Sequence, residues 1–151
     1  MNQLKQKLQS DLNDAIKSRN AVVAETVRML LAAITNEEVA GKEKKELSDA
    51  EIITVLTREA KKRREAAEAF DAGGRADRAA AERAEGEVIA GYLPEQLSED
   101  DVKKLIAETI AAVGATGPSD MGKVMGSLKA KVAGKADGAL VSSLVKEALN
   151  K

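Results

Sequence analysis

The sequence has no cysteine, no histidine and no tryptophan, and only one tyrosine, one phenylalanine and two prolines among its 151 residues. Without cysteine there is no disulfide and no thiol nucleophile. Without histidine there is no imidazole general base, and the usual zinc ligand sets are excluded as well. The missing cysteines agree with a reducing compartment. With Phe70 and Tyr92 as the only aromatics, the core is expected to be aliphatic, and no platform of rings exists for stacking splayed bases. Long apolar runs are missing too. The longest, Met29 to Ile34, falls far short of the roughly 20 residues that span a bilayer. The N-terminal stretch Met1 to Lys17 mixes charge with leucine and reads as no signal peptide, so a soluble, cytoplasmic chain is expected. Charge of one sign is also scarce: 24 Lys and Arg face 25 Asp and Glu, for a net charge of −1. Attraction to nucleic acid must then come from local clusters. No catalytic group, metal or cofactor is expected, and the composition points to binding.

What is present is helical periodicity. Leu4, Leu8, Leu12 and Ile16 form one apolar stripe, and Val23, Val27, Leu30, Leu31 and Ile34 form a second that ends near Gly41. Gly41 to Glu46 reads as an exposed connection. Ser48 and Glu51 form a capping box for a third helix, with Ile52, Leu56, Glu59 or Ala60, Ala67 and Phe70 inward until Gly73-Gly74. A fourth helix runs from about Asp77 to Ala90 with Ala81, Ala84, Val88 and Ile89 inward. Pro94 disfavours helical backbone at Leu93 and stops it. Beyond it, Ser98 and Asp101 cap a helix carrying Val102, Leu105, Ile106, Ile110 and Val113. A shorter helix from about Ser119 to Lys131 buries Met121, Val124, Met125 and Leu128. The last helix, from Asp137 or Gly138, buries Leu140, Val141, Leu144, Val145 and Leu149. The expected fold is all-α: a four-helix unit over residues 1–93 and a three-helix module over 94–151, hinged near Pro94 with a variable angle.

Two familiar motifs are approached and missed. Gly117 to Val124 is close to a phosphate-binding P-loop, but Val124 replaces the magnesium-binding hydroxyl and Asp120 puts a negative charge in the cradle. A capped helix start, with Gly122 allowing close helix packing, explains the string better. Asp71 to Glu82 has the span of a calcium loop, yet Gly73 and Arg75 replace two oxygen ligands and the central glycine is missing. Acidic pairs such as Glu37-Glu38 and Glu99-Asp100-Asp101 read as solvated faces or helix-start charges.

Two basic clusters remain. Arg58, Lys61, Lys62 and Arg64, with Arg63 beside them, form a ridge interleaved with Glu59, Glu65 and Glu68. Such a ridge is ordinarily a solvated face of intrahelical ion pairs. The second cluster is Lys123, Lys129, Lys131, Lys135 and Lys146, with Lys151 at the end. From Pro118 onward six Lys oppose Asp120, Asp137 and Glu147, a local balance of +3. Lysines beside tight glycine turns suit a phosphate backbone, and a structured RNA recognised by shape suits a surface without rings.

The string Arg58-Glu59-Ala60-Lys61-Lys62-Arg63-Arg64-Glu65, then Phe70, Gly73-Gly74-Arg75 and Tyr92-Leu93-Pro94-Glu95-Gln96-Leu97-Ser98, resembles the YqeY family. So do Met121-Gly122-Lys123-Val124-Met125-Gly126 and Gly134-Lys135-Ala136-Asp137-Gly138, followed by Leu140-Val141-Ser142. These strings recur in order over nearly the whole chain. YqeY proteins are similar to the tail of GatB, a subunit of the bacterial glutamine-dependent tRNA amidotransferase. The resemblance implies a two-part helical fold whose last part helps hold tRNA, and it links the chain by name to carbon–nitrogen ligase chemistry with glutamine as amide donor. The catalytic cradle of GatB lies outside that tail, and the amidase partner is a separate subunit. The implied role is therefore a noncatalytic adaptor with tRNA, or a tRNA-dependent amidotransferase or other tRNA-processing protein, as partner. Lys123 and Lys135 fall inside the matched motifs and become the first tRNA-contact candidates, while Gly122, Gly126, Gly134 and Asp137 are assigned to packing and capping. The alternative is a protein–protein scaffold that binds no nucleic acid.

Overall fold

The computed structural model describes residues 3–150. Seven α-helices follow in order: α1 Gln3–Lys17, α2 Ala21–Glu38, α3 Asp49–Ala72, α4 Ala76–Ala90, α5 Glu99–Val113, α6 Met121–Val132 and α7 Gly138–Leu149. One turn of 3₁₀-helix, Pro118–Asp120, leads into α6, and the described residues contain no strand. The fold is all-α. Backbone contacts divide the chain into two compact units, Met1–Leu93 and Pro94–Lys151.

Local chemistry sets the helix ends. Ser48 accepts from the Glu51 amide and Glu51 returns the bond to the Ser48 amide, so α3 starts at a complete capping box. Ser98 and Asp101 do the same for α5. Asn20 caps α2 through the Val23 amide, and Asp137 caps α7 through the Ala139 amide. At the other end of α5, Gly114 takes φ of +68°, the left-handed geometry that lets a chain leave a helix without a Cβ clash.

Each unit has its own aliphatic core. In the first, Leu8, Val27, Leu30, Ile34, Leu47, Ile52, Val55, Leu56 and Ile89 pack together. In the second, Val102, Ile106, Val124, Leu128, Val132, Val141, Leu144, Val145 and Leu149 do. Two helices depart from the sequence expectation at single positions. On α1, Ile16 is 48% exposed and Ala15 is buried instead. A strict four-residue repeat drifts about 40° per step on a 3.6-residue helix, so by its fourth member the stripe has left the core face. On α4, Ile89 is buried and Val88 packs against the core as expected, but Ala81 is exposed and Ala79 is buried. Gly86 lies against Arg63, where a Cβ would stand 3.8 Å from the arginine Cβ. Arg63 then reaches Glu82 at 3.4 Å and Glu85 at 3.3 Å, joining α3 to α4.

Candidate nucleic-acid interface

Most of the α3 ridge is neutralised, partly by α3 itself and partly by its neighbours. Arg58 pairs with Glu37 at 3.1 Å, Lys62 with Glu59 at 3.2 Å and Lys61 with Glu65 at 4.0 Å. Of the ridge cations, Arg64 has no carboxylate within 4.0 Å among the described residues. Lys62–Glu59 and Lys61–Glu65 are the intrahelical pairs expected of a solvated face, whereas Glu59 is buried and Arg58 pairs across to α2. Arg58, Lys61, Lys62 and Arg64 are thus brought onto one helix but not into an open positive field.

The second unit differs. Among the described residues, none of Lys123, Lys129, Lys131, Lys135 and Lys146 has a carboxylate within 4.0 Å; Lys151 lies outside the described residues. Three of the five have a helical reason to be where they are. Lys129 and Lys131 occupy the last turn of α6 and Lys146 the last turn of α7, where a cation offsets the negative end of the helix dipole. Lys123 has no such reason, since it stands in the first turn of α6. Lys135 lies in the turn before α7, half-buried, at a fixed position. Its carbonyl accepts from the Leu97 amide at 2.8 Å, and Gln96 donates to the neighbouring Gly134 carbonyl at 2.7 Å.

Helix geometry also separates the lysines of α6. Val124, Leu128 and Val132 mark its buried face. At about 100° per residue, Lys129 and Lys131 fall on opposite flanks, and Lys123 stands at the solvent pole in line with Gly126 and Ala130. Gly122 and Gly126 do not serve helix packing, contrary to the sequence expectation: a Cβ built on either meets nothing within 4 Å. The Asp120 side chain makes no bond to the first turn of α6 either. Instead it accepts from the Thr116 amide at 2.8 Å, which holds its carboxyl below the usual carboxylate range. Asp137 caps as expected, and Gly134 takes φ of +72° to turn the chain out of α6.

Two groups in the first unit escape sequence reading. Glu38 is 3% exposed, not solvated. Lys5 donates to it at 2.9 Å and the Leu47 amide at 3.4 Å, so the ammonium first and the amide second hold its carboxyl below the ordinary value. Tyr92 donates to Asp11 at 2.5 Å, with the Lys7 ammonium 5.2 Å from its ring centre. Burial and this hydrogen bond push the phenol up, and the same bond is the main reason that Asp11 is held low. Both arrangements tie α1 to distant parts of its unit.

Glu38→Gln is expected to cost about 1.5–3 kcal/mol at neutral pH, the range for a hydrogen bond to a charged group. Because the folded-state value is depressed, the contribution is complete above pH 4.5 and disappears as pH falls through that lower value. Urea unfolding of both proteins at neutral and strongly acid pH checks this. The gap should close in acid.

The sequence profile of the family described as Yqey-like protein matches residues 5–149. The chain belongs to the YqeY family. The match takes in both units and every candidate lysine except Lys151. Among similar proteins, a Pyrenophora tritici-repentis protein named altered inheritance of mitochondria protein 41, mitochondrial, is 28% identical over 145 residues, which is 93% of this chain and 78% of that protein. An uncharacterized Schizosaccharomyces pombe protein is 34% identical over 92 residues, 60% of this chain and 72% of its own length. No helix among the described residues is long and apolar enough to cross a membrane.

Proposed function

We propose that this YqeY protein is a noncatalytic helical adaptor whose second unit holds tRNA, or a tRNA-dependent amidotransferase or other tRNA-processing protein. What carries the reading is the pair Lys123 and Lys135, two cations away from helix C-termini that have no carboxylate within 4.0 Å among the described residues, although the charge of Lys123 is felt by Asp120. The open backbone at Gly122 and Gly126 supports it. Glycine inside a helix costs roughly 0.5–1 kcal/mol against alanine. Here no neighbour in the chain needs the space, whereas a phosphate or sugar approaching the backbone does. Without stacking rings, such a surface follows the shape and charge of a folded RNA rather than its bases. A cytoplasmic location, suggested by the lack of cysteine, belongs to the same proposal.

Competition tests this most simply. Labelled total tRNA bound to the protein should be displaced by unlabelled tRNA at lower concentration than by duplex RNA of equal mass. Equal displacement would reduce the claim to nonspecific polyanion binding, and no binding would remove it. Gly126→Ala separates fold from function. It should stabilise the second unit by about 0.5–1 kcal/mol in thermal unfolding, because helical backbone tolerates alanine and the space is open. At the same time it should weaken tRNA binding. Stabilisation with unchanged binding would show that the glycine face is not used.

A further inference from the structure

Two segments of the second unit meet just before they enter helices. Pro94 to Leu97 leads to Ser98, the N-cap of α5, and Gly134 to Ala136 leads to Asp137, the N-cap of α7. The turn that carries Lys135 is bonded at each of its polar backbone groups. The Lys135 amide donates to the Val132 carbonyl at 2.9 Å, and the Lys135 carbonyl accepts from the Leu97 amide at 2.8 Å. The preceding carbonyl, that of Gly134, is served by a side chain. Gln96 donates to it through Nε2 at 2.7 Å, and through the same nitrogen to the Pro94 carbonyl at 2.8 Å. Among the described residues no backbone amide reaches either carbonyl. A primary amide carries two N–H groups, so one glutamine joins both segments at one point. A glutamate there would only accept, and it would face two other acceptors.

A lysine on a turn gains from such a grip. Connecting segments are ordinarily mobile, and ordering one during binding subtracts from affinity. Close by in sequence to Leu97, α5 opens with Glu99, Asp100 and Asp101, carboxylates onto which a loose lysine could fold. Held as it is, Lys135 has no carboxylate within 4.0 Å among the described residues. We infer that Gln96 is a positioning residue of the RNA surface: its amide joins the Pro94 and Gly134 carbonyls and so fixes the turn that presents Lys135 to a phosphate. Its part in binding rests on the tRNA reading of Lys135. The grip itself does not.

Gln96→Met examines both, because methionine keeps the length of the side chain and removes its N–H groups. In the free full-length protein, hydrogen exchange at the Leu97 and Lys135 amides should quicken by roughly threefold to tenfold, as loss of a modest hydrogen bond allows. The Ile106 and Val145 amides, inside α5 and α7, should keep wild-type rates. Affinity for tRNA should fall by roughly threefold to tenfold. The log–log salt slope should become shallower by about 0.7–0.9, one phosphate contact. In a Lys135→Met background the same substitution should leave affinity and slope unchanged. A side chain that merely supports the fold would weaken binding equally in both backgrounds and would not move the slope.

Unchanged exchange at Leu97 and Lys135 overturns the grip. Faster exchange with unchanged affinity, or with an equal loss in both backgrounds, overturns the positioning role. If the wild-type protein binds no tRNA, the RNA reading fails and the role in binding falls with it, while the exchange rates show separately whether Gln96 holds the turn.

Discussion

Leu128→Ala is expected to remove a large share of the second unit's stability. Leu128 is fully buried between α5, α6 and α7, and truncating such a leucine costs about 2–5 kcal/mol in lost transfer energy and cavity formation. A unit the size of Pro94–Lys151 has little to spare. At about 0.05–0.15 kcal/mol per residue its whole stability is on the order of 3–9 kcal/mol. On heating, amide and methyl NMR signals from Val102, Val124 and Val145 should therefore be lost at a clearly lower temperature than in the wild type. Leu30, Ile52 and Leu56 belong to the other core and should keep native shifts. Loss of both sets together would mean that the two cores form one cooperative structure.

Lys123→Glu combined with Lys135→Glu should have the largest effect on tRNA. Among the described residues neither side chain has a carboxylate within 4.0 Å, and Lys123 acts on Asp120 only through its charge, so the folded state should change little when they are replaced. On the RNA side, two neutralised phosphates disappear. The magnitude of the log–log salt slope should fall by roughly 1.4–1.8, from about 0.7–0.9 per phosphate contact. Reversing the charges adds repulsion, so affinity at low salt should drop by more than about tenfold. Lys129→Glu with Lys146→Glu makes a matched control, because it changes the same number of charges at helix C-termini. If both pairs weaken binding equally, Lys123 and Lys135 have no special place.

Much of this fold is legible locally. The Ser48–Glu51 and Ser98–Asp101 boxes, the glycines after α5 and α6, and Pro94 after α4 set element ends by chemistry within a few residues. The phase of a helix is harder to read. α4 offers alanine at several positions, all alike in hydropathy, and it takes the approach of Gly86 to Arg63 to show which ones turn inward. Long-range pairing is harder still. Glu38 looks like a surface acid at a helix end, since its partner Lys5 lies 33 residues away. Within the α3 ridge, Lys62–Glu59 and Lys61–Glu65 follow from helical spacing, whereas Arg58–Glu37 and Arg63 with Glu82 and Glu85 depend on tertiary packing. The second lysine cluster was visible as composition. That Lys129 and Lys131 point apart, and that Gly122 and Gly126 face open space, needed the helix in place.

The most direct test of the adaptor account is the salt dependence of tRNA binding by the full-length protein, from low to physiological ionic strength, with duplex RNA alongside. The account predicts tighter binding to tRNA than to duplex and a log–log slope of roughly −3 to −4, the signature of about four phosphates neutralised. No binding to tRNA at low salt would contradict it.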